Sequence, residues 1–236
     1  MKRINITVLV FFLLISSAIS QEQEKKIYVH HGFYASLIES PGYYEGTSFN
    51  DSYWNMDSDW KIGTIYSPDE TQSVKLAVRY NMTRDRFEAK KDNDKSVYFV
   101  NPDSISKIER MNECFIYSAY DPGTGMLAKG YFKVIIDGKT KLLFKKREER
   151  KYGKKGAFGY DAYKTFIAEY YIKKDDERIA QKVKKRKKSI LEALSDERDK
   201  VENYASLNKL RFSNEKDLAA ILAYYDSLKE QPENKQ

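Results

Sequence analysis

Apolar and polar residues alternate along most of the chain between Trp60 and Val183, and short polar turns interrupt the alternation. In SVKLAVRYN, Val74, Leu76, Val78 and Tyr80 fall on one face. Successive side chains of a strand point to opposite faces, so a period of two predicts half-buried β-strands rather than helices. WKIGTIY precedes this run; RFEAKK, KSVYFVN, ISKIER and ECFIYSAY follow it, with SPDETQ, MTRD, DND and DPGTG as turns. Connections this short predict an antiparallel meander. KGYFKVII and KTKLLFKK flank Asp137-Gly138, a pair suited to a tight hairpin because glycine tolerates positive φ. AEYYIKK and RIAQKVK read as a further hairpin turning at Asp175, Asp176 and Glu177.

Between these hairpins lies RKYGKKGAFGY, with Gly153, Gly156 and Gly159 three residues apart. It matches neither a Walker loop nor a dinucleotide fingerprint and reads as a flexible connecting loop. The period changes after Lys188. Ile190, Leu191 and Leu194 share one helical face, as do Val201, Tyr204 and Ala205. Leu218, Ile221, Leu222, Tyr225 and Leu228 then follow amphipathic helical spacing, with Ser213 or Asn214 placed to cap the start. The predicted fold is therefore α+β and mainly β: an antiparallel β-meander, as an open sheet or partly closed barrel, followed by two or three short C-terminal helices. The β-rich domain spans 21–188, with a loop-rich lead-in over 21–59. A helical segment spans 189–230, and 231–236 form a frayed tail.

The first 20 residues have the pattern of a secretory signal peptide: Lys2 and Arg3, an apolar run from Ile4 to Ile15, then Ala18 and Ser20 before Gln21. That apolar run is shorter than the roughly 20 residues a membrane-spanning helix needs, and no other run of spanning length follows. The expected location is outside the cytoplasm, periplasmic or secreted, with no membrane span after signal cleavage. The only cysteine, Cys114, excludes an internal disulfide, so the fold must rest on its core.

The formal charge is +7, but it is unevenly spread. Residues 139–155 hold nine basic and two acidic residues, and residues 173–188 hold nine basic and three acidic. If the two segments meet, Lys145, Lys146, Lys154, Lys155, Lys184, Lys185 and Arg186 form a candidate polyanion patch. Solvated strand and helix edges are the plainer reading of the same residues. Export argues against nucleic acid as the partner and leaves anionic lipid or glycan.

A second candidate site is FNDSYWNMDSDW, where Asp51, Asp57 and Asp59 stand among Trp54 and Trp60. Carboxylates beside aromatic rings can line a glycan groove or serve a hydrolase. The default is a polar loop anchored by its aromatics. Cys114 is a conceivable nucleophile, although an apolar strand more often buries an inert thiol. His30 and His31 are the only histidines, and neighbours in a strand point apart, so no metal site and no cofactor is expected.

VKLAVRYNMTRDRFEAK, KGYFKVIIDGKTKLLFKK, EYYIKK and the tail SILEAL…VENYASLNKL…EKDLAAILAYYDSL together resemble a group of exported Bacteroidota proteins of unknown function. The resemblance covers most of the chain beyond the signal, least well over 21–59. It implies an envelope location and carries over no activity, cofactor or catalytic residue. The expected role is a non-enzymatic binding or structural module with an envelope protein, lipid or glycan as partner. The alternatives are a secreted hydrolase using the 50–60 carboxylates or Cys114, and a polyanion binder.

Overall fold

A computed structural model describes residues 33, 36–39, 59–82, 84–90, 97–156 and 159–230. The fold is mainly β, with three short C-terminal helices, as the alternation and the later change of period require. Among the described residues, eleven strands make one sheet: β1 (Ile38–Glu39), β2 (Lys61–Tyr66), β3 (Ser73–Asn81), β4 (Arg86–Lys90), β5 (Tyr98–Val100), β6 (Lys107–Arg110), β7 (Glu113–Tyr120), β8 (Ala128–Ile136), β9 (Lys141–Gly156), β10 (Gly159–Lys173) and β11 (Ile179–Val183). The strand order is β1-β5-β4-β3-β2-β6-β7-β11-β10-β9-β8. It departs from a plain meander at β6, which returns to pair with β2 instead of β5.

β8 also pairs with β7, so β7 to β11 close a five-strand ring. Strands of a meander alternate in direction, and an odd ring must therefore close on one parallel pair. That pair is β7–β11, with Ile179 beside Ala119 and Ala180 beside Tyr120.

Three apolar cores follow from the alternation. β7 sends Phe115 to a core shared with Ile65, Leu76, Val78, Phe87, Ile108 and Tyr131, and sends Tyr120 into the ring. Phe33 and Leu37 join the first of these cores, and β1 is the one short strand found before residue 60 among the described residues. Inside the ring lie Tyr120, Phe132, Leu143, Tyr171 and Ala180. Leu142 and Ile172, one residue out of phase with Leu143 and Tyr171, face outward beneath the helices.

The C-terminal α-helices are α1 (Lys187–Ala193), α2 (Arg198–Leu207) and α3 (Glu215–Glu230). Their apolar faces bury Ile190, Leu191, Val201, Ala205, Leu218, Ile221, Leu222 and Tyr225 against the outer wall. Asn214 caps α3: its Oδ1 accepts from the amides of Lys216 and Asp217 at 2.9 and 3.1 Å.

Two local expectations are corrected. Residues 150–156 and 159–160 belong to strands and not to a connecting loop, for β9 and β10 pair from Lys141↔Lys173 to Gly156↔Gly159. The glycines punctuate strands whose pairing supplies the order a glycine-rich run lacks alone. The β8–β9 connection spans residues 137–140, and Gly138 does not adopt positive φ; Gly123 and Gly125 in the β7–β8 turn are the described glycines that do. A four-residue loop has no need of the primed turn that Asp-Gly favours.

Candidate functional site

The ring's interior is filled. Tyr120, Phe132 and Tyr171 meet edge to face, with centroids 5.1–5.3 Å apart, so their positive edges lie on negative faces. Above Tyr120 and Phe132 sits the ammonium of Lys145, 5.4 and 5.0 Å from the ring centroids. Alternation along β9 places it there, two residues from Leu143 on the inward face.

The β8–β9 ladder stops at Lys133↔Phe144. Beyond it the backbone of Tyr131 is satisfied by side chains. Its amide donates to Asp85 Oδ1 at 3.2 Å, and its carbonyl accepts from Lys145 Nζ at 3.1 Å. Lys145 also donates to Asp85 Oδ2 at 2.6 Å, and Tyr80 Oη donates to Asp85 Oδ1 at 2.6 Å. Asp85 belongs to the β3–β4 turn, at φ +50°, so this contact ties the N-terminal sheet into the split between β8 and β9. Gly130 makes room for it, because a Cβ there would overlap Asp85 Oδ2 and approach Lys145 Nζ to 2.6 Å. Burial pulls the Lys145 pKa down, against the opposing pull of Asp85.

Glu169 completes the seal from β10. It accepts from Lys182 Nζ at 2.6 Å, Arg147 Nε at 3.2 Å and Tyr171 Oη at 3.0 Å. Burial raises its pKa, but these three donors outweigh burial and hold it below its ordinary value. Burial and the Glu169 carboxylate push the Tyr171 phenol up. Lys145 and Glu169 are 5% exposed, and their partners Asp85, Arg147 and Lys182 reach the surface.

Outside this seal, the later part of segment 139–155 and the exit of segment 173–188 run toward one end of the ring, while Lys139, Lys141, Lys173 and Lys174 lie at the other. β9 beyond Lys145 runs antiparallel to β8, toward the β7–β8 turn, and β11 runs parallel to β7 toward that same turn. Lys146 and the exit of β11 thus flank β10 near Ala168. On the outer face, Lys146 Nζ lies 5.1 Å from the Phe166 ring, and Lys185 Nζ lies 4.4 Å from the Tyr170 ring. Phe144 packs on Tyr170 with centroids 5.3 Å apart.

The cations are not equally available. Lys145 lies inside the ring, not on its surface, because its β9 position faces inward. Lys185 pairs with Glu215 at 2.9 Å, Lys187 with Glu202 at 2.7 Å and Lys182 with Glu169. Lys184 and Arg186 are exposed. The side chains of Lys154 and Lys155 lie outside the described residues, although their backbone is in β9.

Of the acidic aromatic stretch, Asp51, Trp54 and Asp57 lie outside the described residues, as do His30 and His31. Asp59 is exposed. Trp60 carries two cations on its ring, Arg79 at 4.7 Å and Lys90 at 4.4 Å. That contact anchors the start of β2 to β3 and β4. Cys114 is half-buried in β7, and burial, Asp137 and Glu109 push its thiol up, away from the thiolate a nucleophile needs. The two best-formed hollows among the described residues are open surface depressions, and neither includes Asp59, Trp60 or Cys114. No group of three metal-ligating side chains occurs among the described residues.

The Asp85–Lys145 and Glu169 contacts were not singled out from the sequence. Glu169 left a signal, since alternation puts a carboxylate on the inward face with Tyr171. Asp85 left none, because one aspartate in a polar turn resembles any other. Comparison of the chain with protein-family models, with curated proteins and with solved structures finds no match.

Proposed function

We propose that this chain acts outside the cytoplasm as a non-enzymatic module that binds through its surface. The filled ring carries the reading: side chains occupy the space where a ligand-carrying barrel keeps a cavity. The signal-like N-terminus and the resemblance to exported Bacteroidota proteins support the location.

The convergence of the basic segments favours one ligand class, a polyanion such as an anionic lipid or an acidic glycan. Lys184 and Arg186 are exposed and flank Lys185, whose ammonium lies over the Tyr170 ring. The test is retention on heparin and co-sedimentation with anionic against zwitterionic vesicles, across a salt series. Retention that weakens steeply with salt is expected, and the Lys184→Glu/Arg186→Glu variant should weaken it further. The column and the vesicles distinguish glycan from lipid. Absence of retention on either at low ionic strength removes the polyanion reading and leaves the surface-binding one to a protein partner.

A further inference from the structure

The helices bury the outer wall at Leu142 and Ile172. Two residues further along each strand, on the same face, Phe144 and Tyr170 stand opposite each other and are half-buried. Beyond them the face opens: Ala168 is exposed, and Phe166 keeps 39% of its surface.

Ala168 is the floor of a frame. It lies between Phe166 and Tyr170 on one face of β10, about 7 Å from each along the strand. Directly opposite it on β9 is Lys146, whose ammonium is 5.1 Å from the Phe166 ring. On the other side β11 ends at Val183, opposite Tyr170, and Lys185 just beyond it lies 4.4 Å from the Tyr170 ring. Two rings therefore close the ends of the frame and two ammoniums its sides. Glu215 accepts from Lys185 at 2.9 Å and fixes its place; an ammonium has three donors, so this contact does not exhaust it. The cations around the frame are Lys146, Lys184, Lys185 and Arg186, against the carboxylates of Glu148, opposite Phe166, and Glu215.

A bare floor between rings, with ammoniums at its sides, suits a sugar ring that carries an anionic group. The C–H face of the sugar takes the apolar contact, and its carboxylate or sulfate takes the charge-assisted hydrogen bonds. The helices separate the two sources of polyanion. A helix with its side chains is about 10 Å across, so α1 and its neighbours rise beside this face as a step. A planar bilayer resting on the step stops short of Ala168, whereas an extended chain can lie along its foot.

We infer that the outer face of β10 around Ala168 binds an acidic glycan, one charged sugar resting between Phe166 and Tyr170 with its anionic group on Lys146 and Lys185. The inference rests on the polyanion reading above and narrows it to glycan.

Titration calorimetry of the purified protein with a size-defined heparin oligosaccharide, across a salt series, tests this. Phe166→Ala removes an apolar wall and no cation. It should raise Kd about tenfold at every salt concentration and leave the slope of log Kd against log salt unchanged. Ala168→Glu puts a carboxylate on the floor and should raise Kd by at least as much at low salt, with a shallower slope. Both positions are exposed and lie outside the three apolar cores. Unchanged affinity in both variants overturns the site and leaves the polyanion reading standing, whereas no binding by the unaltered protein overturns both. A slope altered by Phe166→Ala would make the ring a support for Lys146 and overturns the sugar contact. Phosphatidylglycerol vesicles test the other source: co-sedimentation that Phe166→Ala abolishes, with oligosaccharide affinity unchanged, overturns the glycan in favour of a bilayer.

Discussion

Over the outer wall of the ring, Leu142 and Ile172 are buried by hydrocarbon from three helices; at its mouth, Lys145 and Glu169 are buried by charge. The two closures obey different rules. Hydrocarbon burial is non-directional and roughly proportional to the area removed from water. A buried ion cluster works as a unit, since each member is tolerable only while its partners remain. Asp85 shows the contrast sharply, because one exposed turn satisfies a buried ammonium, a buried amide and a tyrosine hydroxyl at once.

The largest effect is expected from breaking the mouth. Asp85→Ala leaves the Lys145 ammonium inside an aromatic cage with one carbonyl, and should cost about 3–5 kcal/mol. Lys145→Met removes the charge that needed pairing, while Asp85, at 29% exposure, can turn to water. It should cost clearly less. Denaturant unfolding of both variants measures the asymmetry. Equal losses would mean that the pair contributes as two ordinary contacts and not as a seal.

Next comes the wall. Leu222→Ala removes a side chain that is 1% exposed at the centre of the helical cluster, and should cost about 2–5 kcal/mol, depending on how far α3 relaxes into the void. The sharper readout is its independence from the mouth. Leu222 and Asp85 belong to separate clusters with no shared partner, so the two losses should add within about 0.5 kcal/mol in a double variant. A coupling well beyond that would show that mouth and wall fold as one unit.

The wall was legible in the sequence and the mouth was not. Ile190, Leu194, Leu218, Leu222 and Tyr225 repeat at helical spacing, so periodicity alone assigns their faces. Alternation likewise separates Leu142 from Leu143. The ring's closure depends on β7 meeting β11, strands some sixty residues apart in the sequence, and local pattern carries nothing about that pairing. The mouth depends on Asp85 reaching Lys145 from such a distance, through space left by Gly130. Glycine runs misled in the opposite direction: Gly153, Gly156 and Gly159 look like a loop, but cross-strand pairing over fourteen registered positions overrides weak local propensity. For the surface patch, the sequence groups the cations into two segments. It could not tell that Lys145 turns inward, since that depends on the phase of β9 against the ring.

A smaller effect belongs to the wall alone. Asp196, between α1 and α2, accepts from Tyr225 Oη at 2.8 Å and from Lys174 at 3.2 Å, and pairs with Lys229 at 2.6 Å. It pins the wall's helices to the turn after β10. Burial raises its pKa, but the donors from Lys229, Tyr225 and Lys174 prevail and leave it well below the usual carboxylate range. A carboxylate depressed on folding stabilises above its unfolded pKa, near 4, and loses that contribution as the pH falls toward its folded value. Asp196 is about one-third exposed, so its pairs are worth about 0.2–1 kcal/mol at neutral pH. Thermal unfolding of the unaltered protein and of Asp196→Asn should therefore differ by that amount at pH 7, and the difference should shrink steadily below about pH 4. Glu169 is depressed in the same direction, but it titrates in both proteins and cancels from the comparison. A gap that stays constant down to strong acid would mean that Asp196 holds the wall by its shape and hydrogen bonds, not by its charge.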